Sequence, residues 1–141
     1  MRRHARFALV AAGALALAVL GMPPAGVAAE PGSREAIDQA AAVNTELALA
    51  YMREGNLKAA REKIDKALQQ DARTANTQMA AGFVYDKLGD KKKALSHFEQ
   101  AVKLGGKDNP DVVANAAVYF CLNGEPKRGE QYMLQAAASP L

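Results

Sequence analysis

Residues 81–101 read AGFVYDKLGDKKKALSHFEQA, and the same design recurs as LALAYMREGNLKAAREKIDKA at 47–67 and AAVYFCLNGEPKRGEQYMLQA at 116–136. Gly55, Gly89 and Gly124 hold one place in the three copies, 34 and then 35 residues apart, and Ala67, Ala101 and Ala136 hold another. Size is kept along with spacing. Ala48, Gly82 and Ala117 are small; Tyr51, Tyr85 and Phe120 are aromatic; Ala60, Ala94 and Gly129 are small again; Ile64, Phe98 and Met133 are large and apolar. The apolar positions return every three or four residues on both sides of the glycine, so each copy encodes two amphipathic helices joined by a tight turn. The glycine ends the first helix, because it takes the left-handed backbone without a Cβ penalty. The small residues let the second helix come close.

A helix-turn-helix unit recurring every 34 residues is the signature of the tetratricopeptide repeat, in which stacked units bury one continuous core. The expected fold is an all-α solenoid of three such repeats, about 41–74, 75–109 and 110–141. The helix pairs are expected near 37–54 and 57–70, 75–88 and 91–104, and 110–123 and 125–138. Pro110 falls in the first turn of a helix, where proline is tolerated. Gly129 reads as a weak point, since glycine inside a helix costs about 1 kcal/mol relative to alanine. Met133, Leu134 and the alanines around them are expected to be partly exposed, with no capping helix after them.

The N-terminal residues read as an address. Met1–Arg6 is basic, Phe7–Gly21 is apolar or small, Pro23 and Pro24 break any helix, and Val27–Ala28–Ala29 offers a cleavage site. The apolar core is short for a membrane span, which needs about 20 residues. Residues 1–29 are therefore assigned as a signal peptide and 30–36 as a linker, and the expected destination is the periplasm, with outer-membrane association. Met22 follows Leu20–Gly21 where a lipid-bearing cysteine would stand, so a lipid anchor is not expected.

Charge argues against nucleic acid. Of 18 basic residues, three (Arg2, Arg3 and Arg6) lie in the first 29 residues, which hold no acid; the remaining 15 face 15 acidic residues. A nucleic-acid footprint needs a concentrated basic face. Lys91–Lys93 reads as a solvated helix face. The single cysteine, Cys121, has no internal partner, and zinc needs several clustered ligands. His97 is expected to face solvent. Gly105–Gly106 reads as a turn between repeats and not as a phosphate loop. No catalytic, metal or cofactor site and no small-molecule substrate is expected; an enzymatic reading would have to rest on Cys121 alone.

What remains is the inner face, which the first helix of each repeat lines. Its expected residues are Thr45, Leu49, Met52 and Arg53, then Asn76, Met79, Phe83, Asp86 and Lys87, then Val118 and Leu122. A groove lined by methionine and phenylalanine suits an extended peptide or a partner helix. The expected role is a non-catalytic scaffold for a protein partner, with self-association through the uncapped third repeat as a further expectation. A general periplasmic adaptor stands as the alternative.

Three segments carry a resemblance: Asn109–Pro110–Asp111–Val112–Val113, Phe120–Cys121–Leu122–Asn123–Gly124 and Gln135–Ala136–Ala137–Ala138–Ser139–Pro140–Leu141, together with Val43–Ala48, Tyr51 and Gly55. Over roughly residues 36–141 the chain resembles the PilW/PilF family of type IV pilus biogenesis and stability proteins. The resemblance implies an exported scaffold that helps an outer-membrane secretin assemble. Members of that family are usually lipoproteins with longer arrays; Met22 and Ala114–Asn115–Ala116–Ala117 are departures from its pattern.

Overall fold

Each helix is started and stopped by its own residues. The computed structural model describes residues 32–106 and 108–138. The assigned signal peptide, Lys107 and the Ser139–Pro140–Leu141 segment lie outside the described residues. Six helices follow: α1 Arg34–Arg53, α2 Leu57–Gln70, α3 Ala75–Lys87, α4 Lys91–Gly105, α5 Pro110–Leu122 and α6 Pro126–Ala137. Side chains of Ser33, Asn56, Asp90 and Asn109 accept from backbone N–H groups of the first turns of α1, α2, α4 and α5, satisfying donors the helix cannot. Ser33 moves the start of α1 three residues ahead of the expected 37, so the last residues of the expected linker are helical.

The turn within each pair is one motif made three times. Gly55, Gly89 and Gly124 have φ of +76°, +80° and +88°. In each case the next residue donates its N–H back across the turn: Asn56 to Tyr51 O (2.9 Å), Asp90 to Tyr85 O (2.9 Å) and Glu125 to Phe120 O (3.0 Å). This is the Schellman closure. Asn56 and Asp90 then cap the following helix with their side chains, whereas Glu125 makes no such bond.

The pairs α1–α2, α3–α4 and α5–α6 pack most extensively. Between pairs, α1 touches α3 and α3 touches α5, while α2 leans on α3 and α4 on α5. The first helices thus form an inner row and the second helices an outer one. The core holds the residues the repeat singled out, with Ala48, Ala60, Ile64, Ala67, Ala94, Phe98, Ala101, Ala117 and Phe120 fully buried. Burying a side chain of the size of Phe98 or Ile64 contributes roughly 1.5–3 kcal/mol. Aromatic rings carry the core across the second junction: Phe83 meets Phe98 edge-on at 5.1 Å, and Phe98 lies 4.2 Å from Tyr119 of the next pair.

Two sequence expectations change here. His97 does not face solvent. It is half-buried, stacked on Tyr85 with ring centroids 5.3 Å apart, and its Nδ1 lies 2.7 Å from Gln78 Oε1. Tyr85 reaches across the helix pair and covers it. Gly129, in turn, is a close crossing and not a weak point. A Cβ there would meet Ala117 O at 2.8 Å and Cys121 N at 2.9 Å, besides the Cys121 sulfur. The backbone of α5 occupies the space a side chain would need.

Two predictions follow from these corrections. Gly129→Ala raises helix propensity yet is expected to destabilise the fold by about 1–3 kcal/mol, because the obstructing atoms are backbone. Urea unfolding decides it: a gain in stability would mean that α6 can shift away freely. Burial pushes the His97 imidazole below its ordinary value, and the Lys93 charge adds to this, with Asp65 and Asp90 partly offsetting it. The unfolded chain therefore takes up the proton first as pH falls through about 6.5, and stability drops below that point. His97→Gln is expected to flatten the fall between about pH 7.5 and about pH 5; equal slopes in the two proteins would remove the imidazole from the account.

Candidate binding groove

The inner row leaves a trough between α1 and α3. One part, of about 170 Å³, is lined by Leu49, Met79, Ala80 and Phe83, with Thr45, Glu46 and Asn76 at its polar end. A second, of about 270 Å³, shares those three polar residues and continues past Asp38, Asp71 and Thr74. The trough is thus apolar toward the middle of the helices and acidic toward their N-terminal ends. The apolar floor follows from spacing: Met79 and Phe83 are one helical turn apart on α3, facing Leu49 on α1.

The eleven residues expected on the inner face do not form one site. Leu49, Asn76, Met79 and Phe83 line the trough together with Thr45. Thr45 is buried, and its hydroxyl is occupied by Ala41 O at 2.8 Å and Thr77 Oγ1 at 3.1 Å, so it braces α1 against α3. Met52 is half-buried against the core. Arg53 and Lys87 are exposed. Val118 and Leu122 stand exposed on α5, outside the trough.

Asp86 is also a brace. Its carboxylate accepts from Tyr119 Oη at 2.8 Å and from Lys91, which also reaches Asn123 at 3.0 Å. Burial pushes the Asp86 carboxyl up, but hydrogen bonds from Lys91 and Tyr119 and the charges of Lys91 and Lys87 outweigh it, leaving it below the ordinary range. Burial and the same carboxylate push the Tyr119 phenol well above its ordinary value. Tyr85, which donates to Asp65 across the first junction, is raised to about 12, chiefly by burial. These groups hold repeats together.

Glu46, Asp38, Asp71 and Thr74 were missing from the sequence expectation. Glu46 was within reach of it, lying one turn before Leu49 on the same helix face. Asp71 and Thr74 were not, because they belong to the connection between repeats, where Thr74 donates to Asp71 at 2.9 Å. A larger depression of about 400 Å³ lies away from the inner row, between the end of α4 and α6, lined by Val102, Leu104, Asp108 and Tyr132 among others. Cys121 is exposed on α5, its sulfur beside Gly129 and not over the trough. Among the described residues no group of three His, Cys, Asp or Glu could hold a metal ion, and no helix is long and apolar enough to cross a membrane.

Residues 39–105, from α1 to the end of α4, match the family model for the tetratricopeptide repeat. A curated relative, an uncharacterized protein of Haemophilus influenzae, is 32% identical over 101 residues, covering 72% of this chain and 56% of the relative. The solved structure of PilF from Pseudomonas aeruginosa is similar with a TM-score of 0.66 at 23% identity, covering 73% of this chain and 46% of that one. The crystal structure of MamA is similar with a TM-score of 0.59 at 17% identity, covering 74% and 64%. The chain spans about half the length of the curated relative and of PilF, and less than two thirds of MamA. At these identities the two solved structures speak for the fold. The match over residues 39–105, the glycine-closed helix pairs and the inner row of first helices agree on the fold, which is a tetratricopeptide-repeat-like solenoid.

Proposed function

We propose that this chain is an exported, non-catalytic scaffold that grips a protein partner in the α1–α3 trough and supports assembly of the type IV pilus secretin at the outer membrane. The observation that carries the binding role is the open apolar floor of Leu49, Met79 and Phe83, with the acidic lip of Glu46 at one end and the exposed cations Arg53 and Lys87 near the other. Apolar floors with a few polar groups at their rims suit an extended or helical peptide segment. Repeat solenoids present such surfaces along their concave side. The pilus reading rests on the segments around Asn109–Val113, Phe120–Gly124 and Gln135–Leu141. The periplasmic and outer-membrane location rests on the basic-apolar-cleavable order of the first 29 residues.

SDS-resistant secretin multimer, measured in envelopes with and without this gene, tests the pilus reading. Multimer is expected to fall while secretin monomer is still made. Unchanged multimer would leave a general envelope adaptor. The trough has its own test, since Phe83→Ala removes most of the apolar floor on α3, whereas Lys92→Ala changes an exposed side chain on the outer row. Partner capture is expected to weaken on the order of tenfold or more for Phe83→Ala and hardly at all for Lys92→Ala. A thermal melt checks that Phe83→Ala keeps its fold; equal losses in the two variants would count against the trough.

A further inference from the structure

Of the three carboxylates bordering the α1–α3 trough, two have local partners. Asp38 pairs with Arg34 at 3.0 Å, and Asp71 pairs with Arg73 at 3.5 Å and accepts from Thr74. Glu46 is exposed and makes no side-chain hydrogen bond or ion pair among the described residues. A glutamate on a helix ordinarily sits in the first turn, where the dipole favours an anion, or pairs with a cation three or four residues away. Glu46 does neither. It lies well past the start of α1 at Arg34, and the residues three and four away are Ala42, Val43, Leu49 and Ala50. It borders both parts of the trough, beside the apolar floor. The equivalent positions in the next two repeats are Ala80 and Asn115, so the charge belongs to this trough alone.

Any segment that covers Leu49, Met79 and Phe83 also takes water from Glu46. Covering a carboxylate without a partner costs more than leaving it in water, so the segment must bring a cation to it. At the other end the requirement reverses. Glu46, Leu49 and Arg53 share one stripe of α1, and Phe83 and Lys87 share one stripe of α3. Arg53 and Lys87 close their helices, where the dipole favours cations, and neither is in an ion pair among the described residues. Arg53 is about 10 Å along the axis from Glu46, the reach of about three extended residues.

We infer that the segment held in the trough is dipolar: a lysine or arginine side chain pairs with Glu46, a carboxylate about three residues away faces Arg53 and Lys87, and apolar side chains between them lie on Leu49, Met79 and Phe83. The inference rests on the trough being the binding site proposed above. A segment with its charges exchanged is repelled at both ends.

A displayed library of random peptides, selected on the full chain, tests it. Peptides that wild type retains and Phe83→Ala loses are those held in the trough. They are expected to share a Lys or Arg at one position and an Asp or Glu about three residues from it. Selection on Glu46→Lys is expected to replace the shared base by an acid. In synthetic copies of the selected peptides, changing the base to alanine is expected to weaken wild-type binding on the order of fivefold and to leave Glu46→Gln binding almost unchanged. Trough-held peptides without a shared base, or equal losses in wild type and Glu46→Gln, would overturn the inference while leaving an apolar peptide site in place. Recovery of no peptide that depends on Phe83 would remove the trough reading and the inference with it. Sedimentation velocity covers the remaining occupant: a wild-type dimer that Phe83→Ala dissolves would give the trough to a second copy and overturn the inference.

Discussion

The structure depends on how closely two antiparallel helices can approach, and the approach is set by residues with little or no side chain. Where α3 and α4 cross, the ring of Phe98 lies so near Gly82 that a Cβ would stand 2.8 Å from it. Where α5 and α6 cross, Gly129 rests on the backbone of α5. In the first pair Ala48 and Ala60 are both fully buried. With the helices this close, a large side chain at a crossing also reaches the next repeat. Phe98 spans toward Tyr119 in this way. Small residues at the crossings therefore make continuous stacking possible, and stacking is what lets a repeat unit with no independent core be stable.

The polar contacts follow from the same stacking. Once Tyr85 and Tyr119 are carried to the junctions by their helices, their hydroxyls must find acceptors, since a buried donor without one is costly. Asp65 and Asp86 supply them. Thr45 and Thr77 satisfy each other. No buried side-chain nitrogen or oxygen among the described residues lacks a partner. The repeats are thus locked in register by directional bonds as well as by apolar packing.

Most of this fold was legible in the sequence because period, residue size and turn chemistry all pointed the same way. The helix boundaries of the second pair and the glycine turns are local features, and local signals define them. The start of α1 was missed for a reason just as local: Ser33 is a capping residue hidden in a polar stretch that reads as linker. The larger departures depend on tertiary contact. Gly129 looks weak when only its own helix is considered, and necessary once the α5 backbone is beside it. His97 lies on the polar side of α4, yet Tyr85 arrives from α3 to cover it. Thr45 and Asp86 read as polar residues turned toward a ligand, because one sequence does not say which hydroxyls and carboxylates the neighbouring repeat will occupy. Leu49, Met79 and Phe83 were legible because apolar residues on a first helix can be placed by period alone.

The inner row also changes character along the solenoid. At equivalent positions α1 carries Leu49 and Arg53, α3 carries Phe83 and Lys87, and α5 carries Val118 and Leu122. Cations flank the apolar positions in the first two repeats and give way to an exposed leucine in the third. A segment lying across the row would meet charge on one side over two repeats and then a purely apolar surface. If the trough binds as proposed, such a gradient sets a direction as well as a site, since reversing the segment would set its polar end against Val118 and Leu122 and leave Arg53 and Lys87 without acceptors. On the proposed reading, the third repeat orients a bound segment because it departs from the pattern of the first two.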